Sequence, residues 1–429
     1  MQNILDRSTP PALKPIEKII IPQAEKHFLD NGIPVFVVNA GFQNLVKVDL
    51  IFGNLSYDPS QPLLSSATNR MLAEGTAKHS ALELADQIDY YGAFYGTEES
   101  ADHCCVNLFS LNRHLDKTLP TFREILTEAI FPDSDLATFI LNNNQRIAVE
   151  NEKVNSIARK KFNEILFGAK HPYGHIMTTD DYSALDRSSM KDYHTRQYVS
   201  EHCTIILSGK VTDDTLKQVN KHLGDKNWSR SNGQQASPIP ISGSEGRQFR
   251  VDKDSAIQSA IRIGKRMFTR AHVDYPGMAV LNTLFGGYFG SRLMSNIRED
   301  KGYTYGIGSA MASMKDQGYF YISTEVGSDV ASAALTEIYK EMKDLRENLV
   351  DTEELETVRN YMLGSFIKNL ETAFHISDRF KTMHLSGLDY DYFERYLAKL
   401  RSIQPQEILE LANKYLDPES MTELVVGPK

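Results

Sequence analysis

Apolar and polar residues follow the same order of patterns twice along this 429-residue chain. In the first half, the apolar run KVDLIFG precedes a short helical stretch, the strand-like run HCCVNLF and the helical segment TLPTFREILTEAIF. In the second half, AIRIG precedes the alternating strand YFYISTEV, the helical segment ALTEIYKEMKDLRENL, and a last helix and strand ending in TELVVG. Periods of two and of 3.6 residues indicate strands and amphipathic helices, respectively.

The two halves can be laid over each other at a nearly constant offset. Four pairs of equivalent positions are separated by 217 or 218 residues: Leu64 and Leu281, Asp133 and Asp351, Tyr198 and Tyr415, and Gly209 and Gly427. Self-similarity at a fixed spacing is the signature of a duplicated structural unit. We therefore predict two homologous domains, residues 1–227 and 248–429, a division that also suits a chain too long for one core.

A linker is predicted between the halves. Residues 228–247 (WSRSNGQQASPIPISGSEGR) are rich in Ser, Gly, Pro and Gln and show little hydrophobic periodicity. Within each half, strands and helices mix without strict β-α-β alternation. This order favours two tandem α+β domains, each a mostly antiparallel sheet with helices packed on one face.

The stretch 64–76 (LSSATNRMLAEGT) is built like a zinc-binding helix but lacks the ligands. In an H-x-x-E-H motif, two histidines at i and i+4 share one zinc ion, and the glutamate between them acts as general base. Here these three positions hold Ser66, Asn69 and Arg70. Serine is a poor zinc ligand, asparagine cannot take a proton, and arginine is permanently charged. We predict that these residues hold no metal.

The residues that follow these three positions resemble those that follow the zinc motif in the pitrilysin-like, or M16, metallopeptidases. The matching positions are Met71, Leu72, Gly75 and Thr76. Three further segments resemble the same family: 84–93 (LADQIDYYGA), 171–174 (HPYG) and 291–306 (SRLMSNIREDKGYTYG). In this order the segments span nearly the whole chain, which resembles a non-catalytic M16 subunit lacking H-x-x-E-H. The resemblance implies the tandem two-domain fold of the LuxS/M16 metallohydrolases and of the mitochondrial processing peptidase.

The most specific intact motif lies in the last of these segments. The resemblance implies that Arg298 and Tyr305, seven residues apart, hold the substrate from the half opposite the zinc. A guanidinium and a protonated tyrosine hydroxyl are both donors that can stabilise a developing oxyanion. Upstream, Gly286, Gly287 and Gly290 resemble the flexible glycine segment of non-catalytic M16 subunits, where a peptide could lie against exposed backbone.

No substitute metal site stands out in the sequence. The resemblance implies a third zinc ligand, a glutamate on a downstream helix. Either Glu150 or Glu152 can be aligned with this position. His171 and His175 are the only histidines spaced i, i+4, but the residues between them predict a turn. A Ser-His-Asp triad stays open, because its members need not be close in the chain.

Charge and cysteine content limit the expected partners and the expected cellular location of the protein. The net charge of −9 argues against nucleic acid or an anionic membrane as the main partner, and no stretch reaches transmembrane length. Asp6, Arg7 and two prolines stand where a secretory signal would have an apolar run. Cys104 and Cys105 alternate on one strand, far from Cys203, so reduced thiols are expected. We expect a cytoplasmic protein.

These observations lead to one principal hypothesis and two alternatives. In the first, the chain binds no cofactor and uses Arg298 and Tyr305 to bind peptides for a separate H-x-x-E-H subunit, which brings the zinc, in a heterodimer. In the second, it is a non-proteolytic peptide-binding or structural core-type M16 homologue, for example a homodimer. The third is an independent hydrolase with a site that the sequence does not reveal, so whether the chain alone is an enzyme stays open.

Overall fold

The computed structural model describes residues 8, 16, 19–53, 57–228 and 239–429. The strands within these ranges are β1 (Glu25–Phe28), β2 (Pro34–Asn39), β3 (Leu45–Gly53), β4 (Phe94–Glu99), β5 (His103–Leu111), β6 (Cys203–Gly209), β7 (Gln248–Asp252), β8 (Gln258–Met267), β9 (Ile307–Ser313), β10 (Gly318–Gly327) and β11 (Thr422–Gly427).

Helices connect most of these strands. The α-helices are α1 (Leu64–Arg70), α2 (Ala81–Asp89), α3 (Leu115–Thr127), α4 (Asp133–Glu150), α5 (Val154–Phe167), α6 (Thr179–Ser183), α7 (Arg187–Gln197), α8 (Asp213–Leu223), α9 (Tyr275–Asn282), α10 (Ala331–Glu347), α11 (Thr352–Lys368), α12 (Ala373–Leu385), α13 (Tyr390–Ser402) and α14 (Pro405–Tyr415). Two π-helical segments follow α9, π1 (Thr283–Gly287) and π2 (Met294–Asp300). Short 3₁₀ turns span Asn112–His114, Ser200–His202, Ser328–Val330 and Pro418–Ser420.

The strands form two sheets with matching topology. The first sheet has the order β1-β2-β6-β3-β5-β4, and the second has the order β7-β11-β8-β10-β9. In each sheet one pair is parallel, β2 with β6 and β7 with β11, and the other pairs are antiparallel. The predicted α+β class with two repeated, mostly antiparallel sheets is confirmed, and β1 is an addition to the first.

Each sheet is covered on both faces, and one covering helix comes from the other half. Helices α1, α2 and α3 lie on the first sheet, and α9 and α10 lie on the second. On the opposite faces, α12 packs against β2 and β6, while α5 packs against β8 and β11. These two helices occupy equivalent places in the duplicated order, so the halves exchange one helix each. The sequence predicted helices on one face only, because the second set of contacts joins distant parts of the chain.

The burial pattern of β3 follows from this double coverage. Leu50 and Phe52 face the core of the first half, whereas Ile51 faces the cluster that contains Phe380 of α12. A strand buried on both faces shows a continuous apolar run instead of alternation. All seven side chains of the segment VKVDLIF are buried, and its two charged residues, Lys47 and Asp49, interrupt the apolar run on the face that meets α12.

A buried ion network lies where α12 meets the first sheet. Lys47 and Asp49 of β3 pair at 3.0 Å, and their side chains are 5% and 0% exposed. Lys47 also contacts Asp378 of α12 at 3.3 Å, and Lys381 of the same helix contacts Glu98 of β4 at 2.9 Å. Because buried charges are stable only when paired, the network favours one position of α12 on the sheet.

Several other expectations concern single segments. The predicted helical stretch 64–76 is helical only to Arg70, and a turn follows it. Trp228 is buried and donates a hydrogen bond to the Tyr198 carbonyl at 2.9 Å, but residues 229–238 of the predicted linker lie outside the described ranges. The cysteines, Cys104, Cys105 and Cys203, are free and buried, as predicted. None of the helices within the described ranges is both long and apolar enough to cross a membrane.

Candidate functional site

Helix α1 places the three zinc-motif positions between β4, β5 and α7. The helix is only seven residues long, and its buried side chains include Leu64, Ala67 and Asn69. Ser66 and Arg70, four residues apart, share the face that turns away from this core. The two positions that hold histidines in H-x-x-E-H therefore lie on one face, and the glutamate position lies inside the core.

Asn69 is fully buried and bridges three elements of the first half. Its amide nitrogen donates to the Glu98 carbonyl of β4 at 3.0 Å, and its amide oxygen accepts a hydrogen bond from the Tyr198 hydroxyl at 2.9 Å. Burial raises the pKa of Tyr198 well above its ordinary value, so this hydroxyl stays a donor. An asparagine satisfies these partners without a charge, whereas a glutamate at this point would bury one.

Arg70 stands at the position of the second histidine, and its positive charge is paired with Glu99. Its Nε donates to the Glu99 carboxylate of β4 at 2.6 Å, and its terminal NH₂ group contacts the same oxygen. These hydrogen bonds to Glu99 raise the pKa of Arg70. Ser66 donates to the Leu63 carbonyl of its own helix at 3.1 Å. Since none of these side chains offers a zinc ligand and a guanidinium occupies the face, the site does not fit zinc.

The two glutamates left open for the third-ligand position are engaged elsewhere. Glu150 ends α4 and pairs with Lys160 at 2.7 Å, and this hydrogen bond lowers the pKa of Glu150. Glu152 lies beyond the helix end and pairs with Lys253 of the second half at 2.8 Å. Within the described ranges, no group of three or more His, Cys, Asp and Glu side chains is arranged to hold a metal ion.

The histidine pair His171 and His175 lies in a turn, as the intervening residues predicted. His171 is buried, and its Nδ1 accepts a hydrogen bond from the Tyr173 amide at 3.1 Å. His175 contacts Asp181 at 2.9 Å. These contacts stabilise the turn after α5 and give both rings a structural role.

Arg298 and Tyr305 lie in the second half, on different elements. Arg298 belongs to π2, and its guanidinium lies over the Phe289 ring at 4.6 Å from the centroid. Its nearest carboxylate is Glu299 at 3.9 Å, and its side chain is 33% exposed. Tyr305 lies in the loop before β9 and is 96% exposed. Among the described residues, no hydrogen bond joins the two side chains.

The glycine segment contains one glycine that packing requires. A Cβ on Gly286 would come within 2.6 Å of the Ser309 amide nitrogen of β9, so the backbone of π1 lies directly against that strand. Gly286 is buried, whereas Gly287 and Gly290 are exposed. A π-helical segment is rare and often occurs at functional sites. Here π1 brings a buried glycine against the sheet and leaves the two others at the surface.

Two residues of this site were missed in the sequence. Tyr198, which holds Asn69, and Glu99, which holds Arg70, are 129 and 29 residues away from their partners. No local spacing connects them, because both contacts depend on the packing of α1 against the sheet. For the partner of Arg70, the only available signal was the glutamate pair in the run FYGTEES, which contains Glu99, because an arginine on a partly buried helix needs a carboxylate.

Comparison with known proteins gives one family and several relatives. The model of the family described as "Peptidase M16 inactive domain" matches residues 184–362, from the end of the first half into α11. A Bacillus subtilis (strain 168) relative named "Uncharacterized zinc protease YmxG" is 22% identical over 357 residues, which cover 81% of this chain and 85% of the relative.

Two solved structures share the fold. One, described as a peptidase M16 inactive domain from Pseudomonas fluorescens, superposes with a TM-score of 0.82 at 22% identity, covering 95% of this chain and 98% of the other. The second is a chain from complex III2 of Candida albicans, with a TM-score of 0.75 at 14% identity, covering 94% and 95% of the two chains. The similarity therefore extends over both halves.

Proposed function

We propose that the chain is a non-catalytic member of the M16 peptidase family, as its family match and relatives support, and that it binds peptide substrate for a separate zinc-bearing M16 subunit. The observation that carries this proposal is the state of the zinc-motif positions. Arg70 is held by Glu99, and Asn69 is buried with its amide engaged by Tyr198 and by the β4 backbone. A peptidase site without a metal ligand or a base needs a second chain that supplies both.

Arg298 and Tyr305 supply the substrate-binding part of the proposal. Tyr305 is almost fully exposed, and Arg298 has no carboxylate closer than 3.9 Å among the described residues. Both can therefore donate to a peptide carbonyl that another subunit presents. An oxyanion donor of this kind lowers the reaction barrier by about 2.7–4 kcal/mol, which corresponds to a rate factor of roughly 10²–10³.

The first experiment measures metal and activity in the purified chain alone. We expect no stoichiometric zinc and no cleavage of unfolded peptides, because the motif positions provide no ligands. Adding a subunit with an intact H-x-x-E-H motif is expected to give zinc-dependent cleavage. Peptide turnover by this chain alone, or no gain when such a subunit co-purifies with it, would contradict the proposal.

The second experiment tests the two donors in the assembled peptidase. Arg298→Ala and Tyr305→Phe are expected to lower kcat/KM by roughly 10²-fold or more. Arg266→Ala, which removes an exposed arginine of β8, is the matched control and is expected to retain activity. Equal activity of the Arg298→Ala and Arg266→Ala proteins would exclude a role of Arg298 in the reaction.

A structural role without proteolysis is the second candidate function. The observation that favours it is the fold shared over both halves with a chain of complex III2 from Candida albicans. In this case the purified chain would form a stable assembly in which no other chain carries H-x-x-E-H. Identification of co-purified chains by mass spectrometry, with a peptide cleavage assay on the same sample, separates the two functions.

We also propose a dimeric assembly in the cytoplasm, with either the catalytic subunit or a second copy as partner. The buried, free state of Cys104, Cys105 and Cys203 supports a reducing compartment. Light scattering on the pure chain tests for a homodimer, and cell fractionation tests the location. A monomer that stays monomeric with every M16 subunit of the cell would contradict this part of the proposal.

A further inference from the structure

The second half contains a polar cavity of about 560 Å³ whose lining includes neither Arg298 nor Tyr305. It opens between α9, π1, α11, α12 and α13. Five of its lining side chains carry the argument, and we call them the arginine–tyrosine pocket: Arg270, Tyr275, Arg379, Tyr392 and Tyr396. Small-molecule sites are typically concave and of about 300–1,000 Å³. The cavity is thus large enough for a small ligand.

The two arginines of the pocket have no carboxylate partner among the described residues. The Arg379 guanidinium lies over the Phe366 ring at 4.0 Å, and its nearest acceptor is the Phe366 carbonyl at 3.5 Å. The Nε atoms of Arg270 and Arg379 are both buried without a hydrogen-bond partner. By contrast, Arg292 of the same half is held by Asp344 and Glu354 at 2.6–2.9 Å. Buried guanidinium groups are normally paired in this second way.

The carboxylate that lines the cavity does not neutralise these arginines. Asp378 precedes Arg379 on α12, but it contacts Lys47 at 3.3 Å and Lys381 at 3.8 Å, in the ion network with the first sheet. Burial lowers the pKa of Arg379, as expected for a cation with uncompensated desolvation. The pocket therefore contains two positive charges whose counter-charge is missing.

The tyrosines add donors to this positive site. Burial raises the pKa of Tyr396 to about 12 and the pKa of Tyr392 above its ordinary value, so both hydroxyls stay protonated at neutral pH. Guanidinium forks bind carboxylate and phosphate oxygens in a bidentate manner. We propose that the arginine–tyrosine pocket binds a small organic anion through a carboxylate or phosphate group, with Arg270 and Arg379 as the anchoring residues.

A neighbouring cavity shows why this pocket is distinct. It shares Arg270 and Tyr392 with the arginine–tyrosine pocket, and it is also lined by Arg395 and Lys399. Lys399 is paired with Glu407 at 2.6 Å, and Arg395 lies 4.0 Å from Asp389. The cations of the neighbouring cavity thus have carboxylate partners, and only Arg270 contributes a free charge. The proposal does not depend on the peptidase role proposed above.

The test measures binding of defined anions to the full-length protein. Inorganic phosphate, glycerol phosphate, acetate and citrate are added at constant ionic strength, with sodium chloride as the reference. At about five times Kd, a ligand that binds the folded state is expected to raise Tm by about 1–3 °C, and Tm should continue to rise with the logarithm of the ligand concentration. The anion that gives the largest effect identifies the group that the pocket prefers. If none of these anions raises Tm more than chloride does, the proposal is overturned.

Variants locate the binding site. Arg270→Gln and Arg379→Gln are expected to weaken binding in calorimetric titrations at least 10-fold, while Arg401→Gln, an exposed residue of α13, retains it. Equal affinity in all three variants would place the anion elsewhere and overturn the proposal. If the pocket variants misfold, phenylglyoxal modification of the wild-type protein replaces them. The anion should then protect Arg270 and Arg379 but not Arg401, and equal modification with and without the anion overturns the proposal.

Discussion

Replacing Asn69 tests whether the former zinc-motif position has become part of the core. Asn69→Ala removes the hydrogen bond to the Glu98 carbonyl at 3.0 Å and the hydrogen bond from Tyr198 at 2.9 Å. It leaves a fully buried hydroxyl without its main acceptor, which costs about 1–3 kcal/mol, and the lost amide adds about 1 kcal/mol more. We expect the free energy of unfolding of the first half to fall by about 3 kcal/mol.

The partner residue and a neighbouring residue provide the controls. Tyr198→Phe should cost about 1–2 kcal/mol, because the Asn69 oxygen then lacks its donor. The double variant should cost about 1 kcal/mol less than the sum of the single changes, since the two side chains interact directly. Ser66→Ala, on the same helix, removes only a bond within the helix and should stay within about 0.5 kcal/mol of the wild type.

Trp228 makes the measurement specific for this half. It is the only tryptophan of the chain, it is buried, and its ring lies near Phe52. Urea unfolding followed by its fluorescence therefore reports the first half even if the second half unfolds separately. If Asn69→Ala and Ser66→Ala have the same midpoint, the structural role assigned to Asn69 is wrong.

Three further predictions concern the core, the charges and pH. Gly286→Ala should destabilise the second half by about 1–3 kcal/mol, because its Cβ would come within 2.6 Å of Ser309. Gly364→Ala, at an exposed position of α11, meets nothing within 4 Å and should stabilise the protein by about 0.5–1 kcal/mol in thermal unfolding. Asp49→Asn should lower the free energy of unfolding by about 3–5 kcal/mol, because it leaves Lys47 buried beside only Asp378. In urea titrations, the double variant Lys47→Met with Asp49→Leu should recover most of this loss, because it removes both charges. A double variant that is as unstable as Asp49→Asn would contradict a charge effect. Burial lowers the pKa of His171, His194 and His202, so the folded state binds fewer protons than the unfolded state. Tm should therefore fall as the pH drops below about 6.5, the pKa of histidine in the unfolded chain. An unchanged Tm between pH 7 and pH 5 would contradict this prediction.

The zinc-motif positions show where local sequence was sufficient. Ser66, Asn69 and Arg70 do not supply the histidines and the glutamate of H-x-x-E-H, and this conclusion depends on residue type alone. The turn between His171 and His175 followed from Pro172 and Gly174, which lie between them. The alternating and continuous apolar runs likewise predicted the strands, because side-chain periodicity reflects which faces are buried.

The sequence alone determined the repeated order of strands and helices, the α+β class and the absence of zinc-ligand residue types from the motif positions. These properties depend on local periodicity and on residue type. The tertiary structure decided that Asn69 is held by Tyr198, that α5 and α12 exchange sheets, and that Arg270 and Arg379 line one cavity 109 positions apart in the chain. Such contacts depend on how distant segments pack, and they cannot be predicted from the spacing of residues within one segment.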